Sequence, residues 1–227
     1  MGYYLVMAIV AGIGMLAKWR LKSAYAKGVS VMAASGLTGR DTAQKILDAK
    51  GISNVGIEMV QGQMSDHYDP KAKMLRLSPD VYQGSSLAAL GIAAHEVGHA
   101  IQDADRYGAL VLRNGIVPIA NAGGGMSMMV FMAGAMTGSQ AIMIGGIALF
   151  SLTVIFQLVN LPVEFNASSR AKNILLEQGM ITEGEYKTVD KVLDAAALTY
   201  VAATVSSILY LLYYAYRAGL IGGNRRN

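Results

Sequence analysis

The sequence predicts a mainly α-helical integral membrane protein with about four transmembrane helices and a small β-hairpin beside a metal-binding helix. Three observations lead there. Charged residues make up 15% of the chain and apolar ones 53%, whereas ordinary soluble domains carry roughly 25% charge. The apolar residues gather in four stretches, 3–17, 116–136, 141–161 and 198–216, and all 19 Lys and Arg lie outside them. That is the segregation a bilayer enforces. The third observation is the run His95-Glu96-Val97-Gly98-His99, whose spacing belongs to a helix.

Stretch 3–17 is short for a span, since about 20 residues cross the hydrocarbon core. No positive residue precedes it, it lacks a small-residue cleavage site, and it ends at Lys18-Trp19-Arg20-Leu21-Lys22. It reads as an uncleaved anchor with its N-terminus outside, the Trp and Lys side chains reaching back to the interface. Stretches 116–136 and 141–161 are joined by the uncharged Thr137-Gly138-Ser139-Gln140, which predicts a helical hairpin with a short outer turn. Stretch 198–216 is rich in Tyr at its far end, as an interfacial aromatic belt is. With four spans, the polar regions 18–115 and 162–197 share one face. They hold 16 of the 19 basic residues, so the positive-inside tendency makes that face cytoplasmic. Arg217, Arg225 and Arg226 fall on the other side, against that tendency. The chain, 1–227, reads as a single membrane domain.

Within the first polar region a helix starts at Thr38 or Gly39 and runs to about Lys50, where Gly51 stops it. Its apolar positions Ala43, Ile46 and Leu47 fit one face. Two strand-like runs, 55–61 and 73–77, flank Ser65-Asp66-His67-Tyr68-Asp69-Pro70, whose Asp-Pro pair favours a turn, so a small hairpin is expected. A further helix starts after Ser85 or Ser86 and carries the His-Glu motif to about Asp105.

The net charge of +4 could suit nucleic acid, but no run of Lys and Arg interleaved with aromatics occurs, and the basic residues flank the spans instead. No nucleic-acid partner is expected. Cysteine is absent, which excludes disulfides, thiol nucleophiles and thiolate-bound metal. His and carboxylates are left as the strong ligands.

On a helix, His95 and His99 lie on one face one turn apart, close enough to hold one ion. Glu96 can then reach a bound water without occupying the metal, as in an active-site helix of the zincin type. A metal such as zinc acidifies that water, and Glu96 is placed to act as general base and then general acid. Two imidazoles need a third protein ligand. Asp105 has the spacing used by proteases that fold back through a glycine turn, but Gln102 stands where that glycine would be, so the helix should continue and turn Asp105 away. Glu164 is better placed, where the third apolar stretch meets the polar region. A carboxylate there is costly unless paired or metal-bound. Its bland alternative is a helix-end Glu in water or paired with Arg170 or Lys172. Glu58 falls in a strand, and Glu177, Glu183 and Glu185 in a polar segment.

The stretches Ser65-Asp66-His67-Tyr68-Asp69-Pro70, Leu75-Arg76-Leu77-Ser78, Ala94-His95-Glu96-Val97-Gly98-His99-Ala100-Ile101-Gln102 and Leu161-Pro162-Val163-Glu164-Phe165 resemble the bacterial YugP-like family of neutral zinc membrane metallopeptidases, through nearly the whole chain. The later Glu164-Phe165-Asn166-Ala167 is similar, more distantly, to membrane gluzincins of the HtpX type. The resemblance implies His95, His99 and Glu164 as ligands of one Zn2+ per chain, and Glu96 as the catalytic residue. It departs at two positions. The family usually has Asp where Asn166 stands, and the distant relatives have Asp where Ser168 stands. Both neutral side chains can accept a hydrogen bond from a ligand imidazole but lack the charge that raises its basicity, so metal affinity is expected to be lower.

His67 has two readings: donor to the oxyanion of the reacting peptide, or a turn cap paired with Asp66 or Asp69. Tyr68 is an alternative donor. The run 73–77 could be an edge strand onto which an extended peptide adds. Gly123-Gly124-Gly125 lies in a span and suits close helix packing, and Met126, Met128, Met129 and Met132 read as filler, not a copper site.

The expected function is a zinc-dependent endopeptidase in the bacterial inner membrane. Its active site would be on the cytoplasmic side, cutting membrane or membrane-near proteins. The expected partners are thus protein or peptide substrates and the lipid bilayer, and the chain could form an oligomer. The rivals are a site-2-type intramembrane protease, which lacks here its Leu-Asp-Gly-like ligand motif, a zinc hydrolase of a non-peptide substrate, and a scaffold with a structural zinc, which would not need Glu96.

Overall fold

The computed structural model describes residues 2–222; Arg225 and Arg226 of the basic tail lie outside the described residues. In chain order the elements are α1 (Gly2–Val29), α2 (Gly39–Ala49), β1 (Gly56–Met59), β2 (His67–Asp69), β3 (Met74–Leu77), α3 (Pro79–Tyr82), α4 (Leu87–Ala104), α5 (Gly108–Thr137), α6 (Gln140–Glu177) and α7 (Glu183–Arg217). The chain is thus a mainly α-helical membrane protein, and among the described residues four helices, α1, α5, α6 and α7, are long and apolar enough to cross a bilayer. Each outruns its apolar stretch. The 38 residues of α6 would extend about 57 Å at the helical rise, nearly twice a hydrocarbon core. The helix passes through Pro162, so Glu164 is not a helix-end residue but stands inside a continuous helix.

The chain divides into two compact units. One contains residues up to Ala17, Leu112–Leu161 and those from Tyr200 on; the other contains Lys18–Val111 and Pro162–Thr199.

In the first unit α5 and α6 form the expected hairpin, turned at Gly138 with φ +68°. The helices approach so closely that a Cβ on Gly146 would lie 2.6 Å from the Phe131 backbone nitrogen, the close packing that small residues allow in apolar surroundings. Phe131, Phe150 and Tyr210 surround Tyr214. The methionines at 126, 128, 129 and 132 are exposed, in keeping with filler.

In the second unit α2 begins at Thr38, whose hydroxyl accepts from the Asp41 N–H in a capping box, and ends before Gly51 at φ +67°. Ala43, Ile46 and Leu47 are fully buried. The sheet is a correction to the expected hairpin. Its order is β1-β3-β2, with β1 parallel to β3 and β2 antiparallel to it. The hairpin joins β2 to β3, and the two runs expected to pair across a turn are instead parallel neighbours. The segment around Asp69-Pro70 supplies a strand of its own. Run 73–77 is therefore the central strand, not an edge, and has no free side to offer a peptide.

Arg76 on β3 ties the sheet together, donating to Glu58 on β1 at 2.6 Å and to Asp69 on β2 at 2.7 Å. Asp69 also accepts from the N–H groups of Ala72 and Lys71. These bonds, the Ala72 one foremost, hold its carboxyl down at about 2. The sheet and α2 enclose α4, on which Leu87, Leu90 and Val97 are fully buried with Leu75, Leu77 and Leu175. Ser86 caps α4, its hydroxyl accepting from the Ala89 N–H at 3.2 Å.

Candidate metal centre

The helical period brings His95 and His99 to one face of α4, with ring centroids 4.8 Å apart and planes at 85°. α6 runs against that face because Gly98 lets it. A Cβ on Gly98 would fall 2.8 Å from the Ala167 carbonyl oxygen and 3.2 Å from its Cα. This approach brings Glu164 to the two rings, its Oε2 lying 3.4 Å from His95 Nε2 and 3.7 Å from His99 Nε2. Gly98→Ala must push the two helices apart. The expected cost is about 1–3 kcal/mol of stability, read as a lower thermal midpoint in detergent together with reduced metal content.

His95, His99 and Glu164 could hold a metal ion, each offering one ligand atom with all three within 4.8 Å of one another. The side chains are 13%, 11% and 5% exposed, so a site there is almost dry. The fit can be tested on the distances. Two ligand atoms, each about 2.05 Å from one tetrahedral zinc, stand roughly 3.3 Å apart, whereas a direct N–H···O bond is about 2.9 Å. The Oε2 distances of 3.4 and 3.7 Å lie on the metal side of that comparison. Two imidazoles and a carboxylate are also the donor set of open, water-bearing zinc sites.

The far sides of both rings are fixed. His99 Nδ1 meets Gln102 Oε1 at 3.0 Å. Gln102 Nε2 donates to the Val163 carbonyl at 2.8 Å and to Asn166 Oδ1 at 3.0 Å. Because a carbonyl only accepts, the amide of Gln102 has one orientation, its oxygen faces His99, and His99 carries its proton on Nδ1. His95 Nδ1 lies 3.1 Å from Ser168 Oγ. The Nε2 lone pair of His99 is thereby directed at Glu164 and available to a metal, while Ser168 holds the ring of His95 with its own Nε2 toward the same carboxylate. Glu96 is buried beside them. Burial pushes the His99 imidazole down, but Glu164 and the charge of Glu96 outweigh it and hold His99 above its ordinary value.

Gln102 was legible only as the residue replacing a helix-stopping glycine. Its place three residues after His99 on the same face was the signal for its contact with the ring. Asn166 does not touch an imidazole, because Gln102 occupies that position; Asn166 accepts from Gln102 and from Arg170 Nε at 2.8 Å. Gln102→Ala is expected to weaken zinc binding about 10–100-fold, measured by competition with a chromophoric chelator.

The other acidic candidates are placed elsewhere. α4 ends at Ala104, and Asp105 accepts from Arg170 Nη1 at 2.6 Å. Lys172 donates to Asp190 at 2.6 Å and to Asp194 at 3.0 Å. Both cations proposed as bland partners of Glu164 thus have other carboxylates. Glu58, Glu177 and Glu183 are exposed, and Glu185 accepts from the N–H groups of Ala34 and Thr182.

His67 is exposed on β2, its Nδ1 donating to the Ser65 carbonyl at 2.7 Å, while α4 packs against that strand. Tyr68 is not a spare donor, since its hydroxyl donates to Asp103 Oδ2 at 2.6 Å. Burial and the Asp103 bond raise its pKa.

A helical membrane protein carrying a His2Glu cluster fit for a metal is the class that fold and site define. The chain belongs to the family described as "Putative neutral zinc metallopeptidase", whose model matches residues 3–219. It is 47% identical over 212 residues to the "Putative membrane protease YugP" of Bacillus subtilis (strain 168), covering 93% of this chain and 94% of the relative. No solved structure matches the chain. The family implies zinc, peptide substrates and association with a membrane.

Proposed function

We propose that the protein is a zinc-dependent endopeptidase of the membrane in which His95, His99 and Glu164 hold one zinc ion per chain and Glu96 is the general base. The observation that carries this reading is the convergence of Glu164 on the two Nε2 atoms of a His-Glu-x-x-His helix within a family of zinc peptidases. Zinc held there would polarise a peptide carbonyl and lower the pKa of water toward neutrality. Glu96 then takes a proton from the attacking water and delivers it to the nitrogen of the breaking peptide bond. Gln102 keeps His99 in the tautomer the chemistry needs, and Ser168 holds the His95 ring in its orientation. The motif helix α4 is not among the four helices long and apolar enough to span, which favours a site outside the bilayer over a site-2-type intramembrane one.

The chain acts as one membrane domain, 1–227. The basic residues of 18–115 and 162–197 orient its site toward the cytoplasm of a bacterial inner membrane. Substrate lies extended along β2, the edge of the sheet beside α4, and pairs with its free side. His67 stands on that strand. With Nδ1 engaged by Ser65, its Nε2 donates to a carbonyl oxygen only when the ring carries both protons.

Purified protein in detergent should cleave casein, lose that activity on treatment with a chelator and regain it with zinc; cleavage indifferent to chelation would overturn the reading. The proton held by His99 competes with the metal. Because the pKa of His99 is raised, its protonated form contributes stability that is present below the ordinary imidazole range and is lost as pH rises. Zinc affinity is therefore expected to rise with pH through the neutral range, as measured by chelator competition.

A further inference from the structure

We propose that a groove between α1 and α7 in the second unit binds the headgroup phosphate of an anionic phospholipid. The groove has a volume of about 310 Å3 and is lined by Trp19, Arg20, Ser23 and Lys27 from α1 and by Thr188 and Lys191 from α7. Its walls are drawn together at Gly28, where a Cβ would lie 2.7 Å from Val192 Cγ2.

The electrostatics select an anion. Three cations face the groove and no carboxylate lines it. α1 contains no Asp or Glu at all, and the acids nearest Lys191 in sequence, Asp190 and Asp194, are both engaged by Lys172. Ser23 and Thr188 add hydroxyl donors. This set of charges and short donors suits a phosphate monoanion or diester.

Position along the helices selects a lipid as its source. The charge-free stretch 3–17 of α1 ends two residues before Trp19, and that of α7 begins three residues after Ala195, another lining residue. Met15 and Leu16, 67% and 52% exposed, precede Trp19 and Arg20 by four residues and so share their face of α1. A diacyl lipid can place its phosphate against the cations and its chains along that apolar face, with Trp19 at the boundary. A free phosphate would have no use for the apolar half.

The test is native mass spectrometry of the full chain, released from micelles containing equal amounts of phosphatidylglycerol and phosphatidylcholine. Phosphatidylglycerol should be retained in preference. The triple variant Arg20→Ala/Lys27→Ala/Lys191→Ala should lower its retention at least about tenfold, because each basic residue adds to the attraction for an anionic headgroup. The charge-preserving Arg20→Lys/Lys27→Arg/Lys191→Arg and the distant control Lys45→Ala/Lys50→Ala/Lys71→Ala should retain it as the unaltered chain does. Equal retention of the two lipids, or an equal loss in the triple variant and either comparison variant, would overturn the proposal. Displacement of the phosphatidylglycerol by inorganic phosphate would assign the groove to a free anion and overturn it as well.

Discussion

Glu96→Gln is expected to lower casein cleavage by about 10²–10⁴-fold, the range over which a positioned general base contributes, while zinc content stays at the unaltered level. The two effects separate because Glu96 adjoins the cluster without belonging to it. The three groups that converge are His95, His99 and Glu164, and glutamine keeps the volume of the buried side chain while removing its basicity. Retained activity with zinc bound would remove Glu96 from the mechanism and leave a scaffold with a structural ion as the better account. Loss of both activity and zinc would move Glu96 into the ligand set.

Glu164→Ala is expected to have the larger effect on the metal. Removing a residue that only orients a ligand costs about 10–100-fold in affinity, and removing a ligand should cost more, so zinc should be lost on dialysis against a mild chelator and activity with it. The two imidazoles would then face a cavity without the buried carboxylate that now lies within 3.7 Å of both. Glu164→Gln keeps the shape and tests the charge alone; it should lose zinc as well. Full zinc occupancy in both variants would direct attention to another carboxylate.

Much of the centre was legible in the sequence because its chemistry is local. An i,i+4 pair of imidazoles on a helix shares a face whatever the surrounding fold, and a chain without cysteine has few remaining ligands. Glu164 could be singled out because a carboxylate beside an apolar stretch needs a partner. What the sequence did not disclose depends on packing between distant segments. The contact of Gln102 with Val163 and Asn166 exists only once α4 lies on α6, and that approach rests on the missing side chain of Gly98. The order of the sheet was misread for a related reason. β2 has three residues, too few for a periodic pattern, so the loop looked like a turn between two strands that in fact run parallel. The continuation of α6 past Pro162 was hidden by a residue that usually marks a helix boundary.

The central claim is that one zinc ion is held by two imidazoles and one carboxylate. X-ray absorption at the zinc edge on the purified, zinc-loaded chain tests it most directly. The account predicts a first shell of nitrogen and oxygen at about 2.0–2.1 Å, with the outer-shell scattering of two imidazole rings that disappears in step with His95→Ala and His99→Ala. A shell without two imidazoles, or one unchanged in those variants, would contradict it.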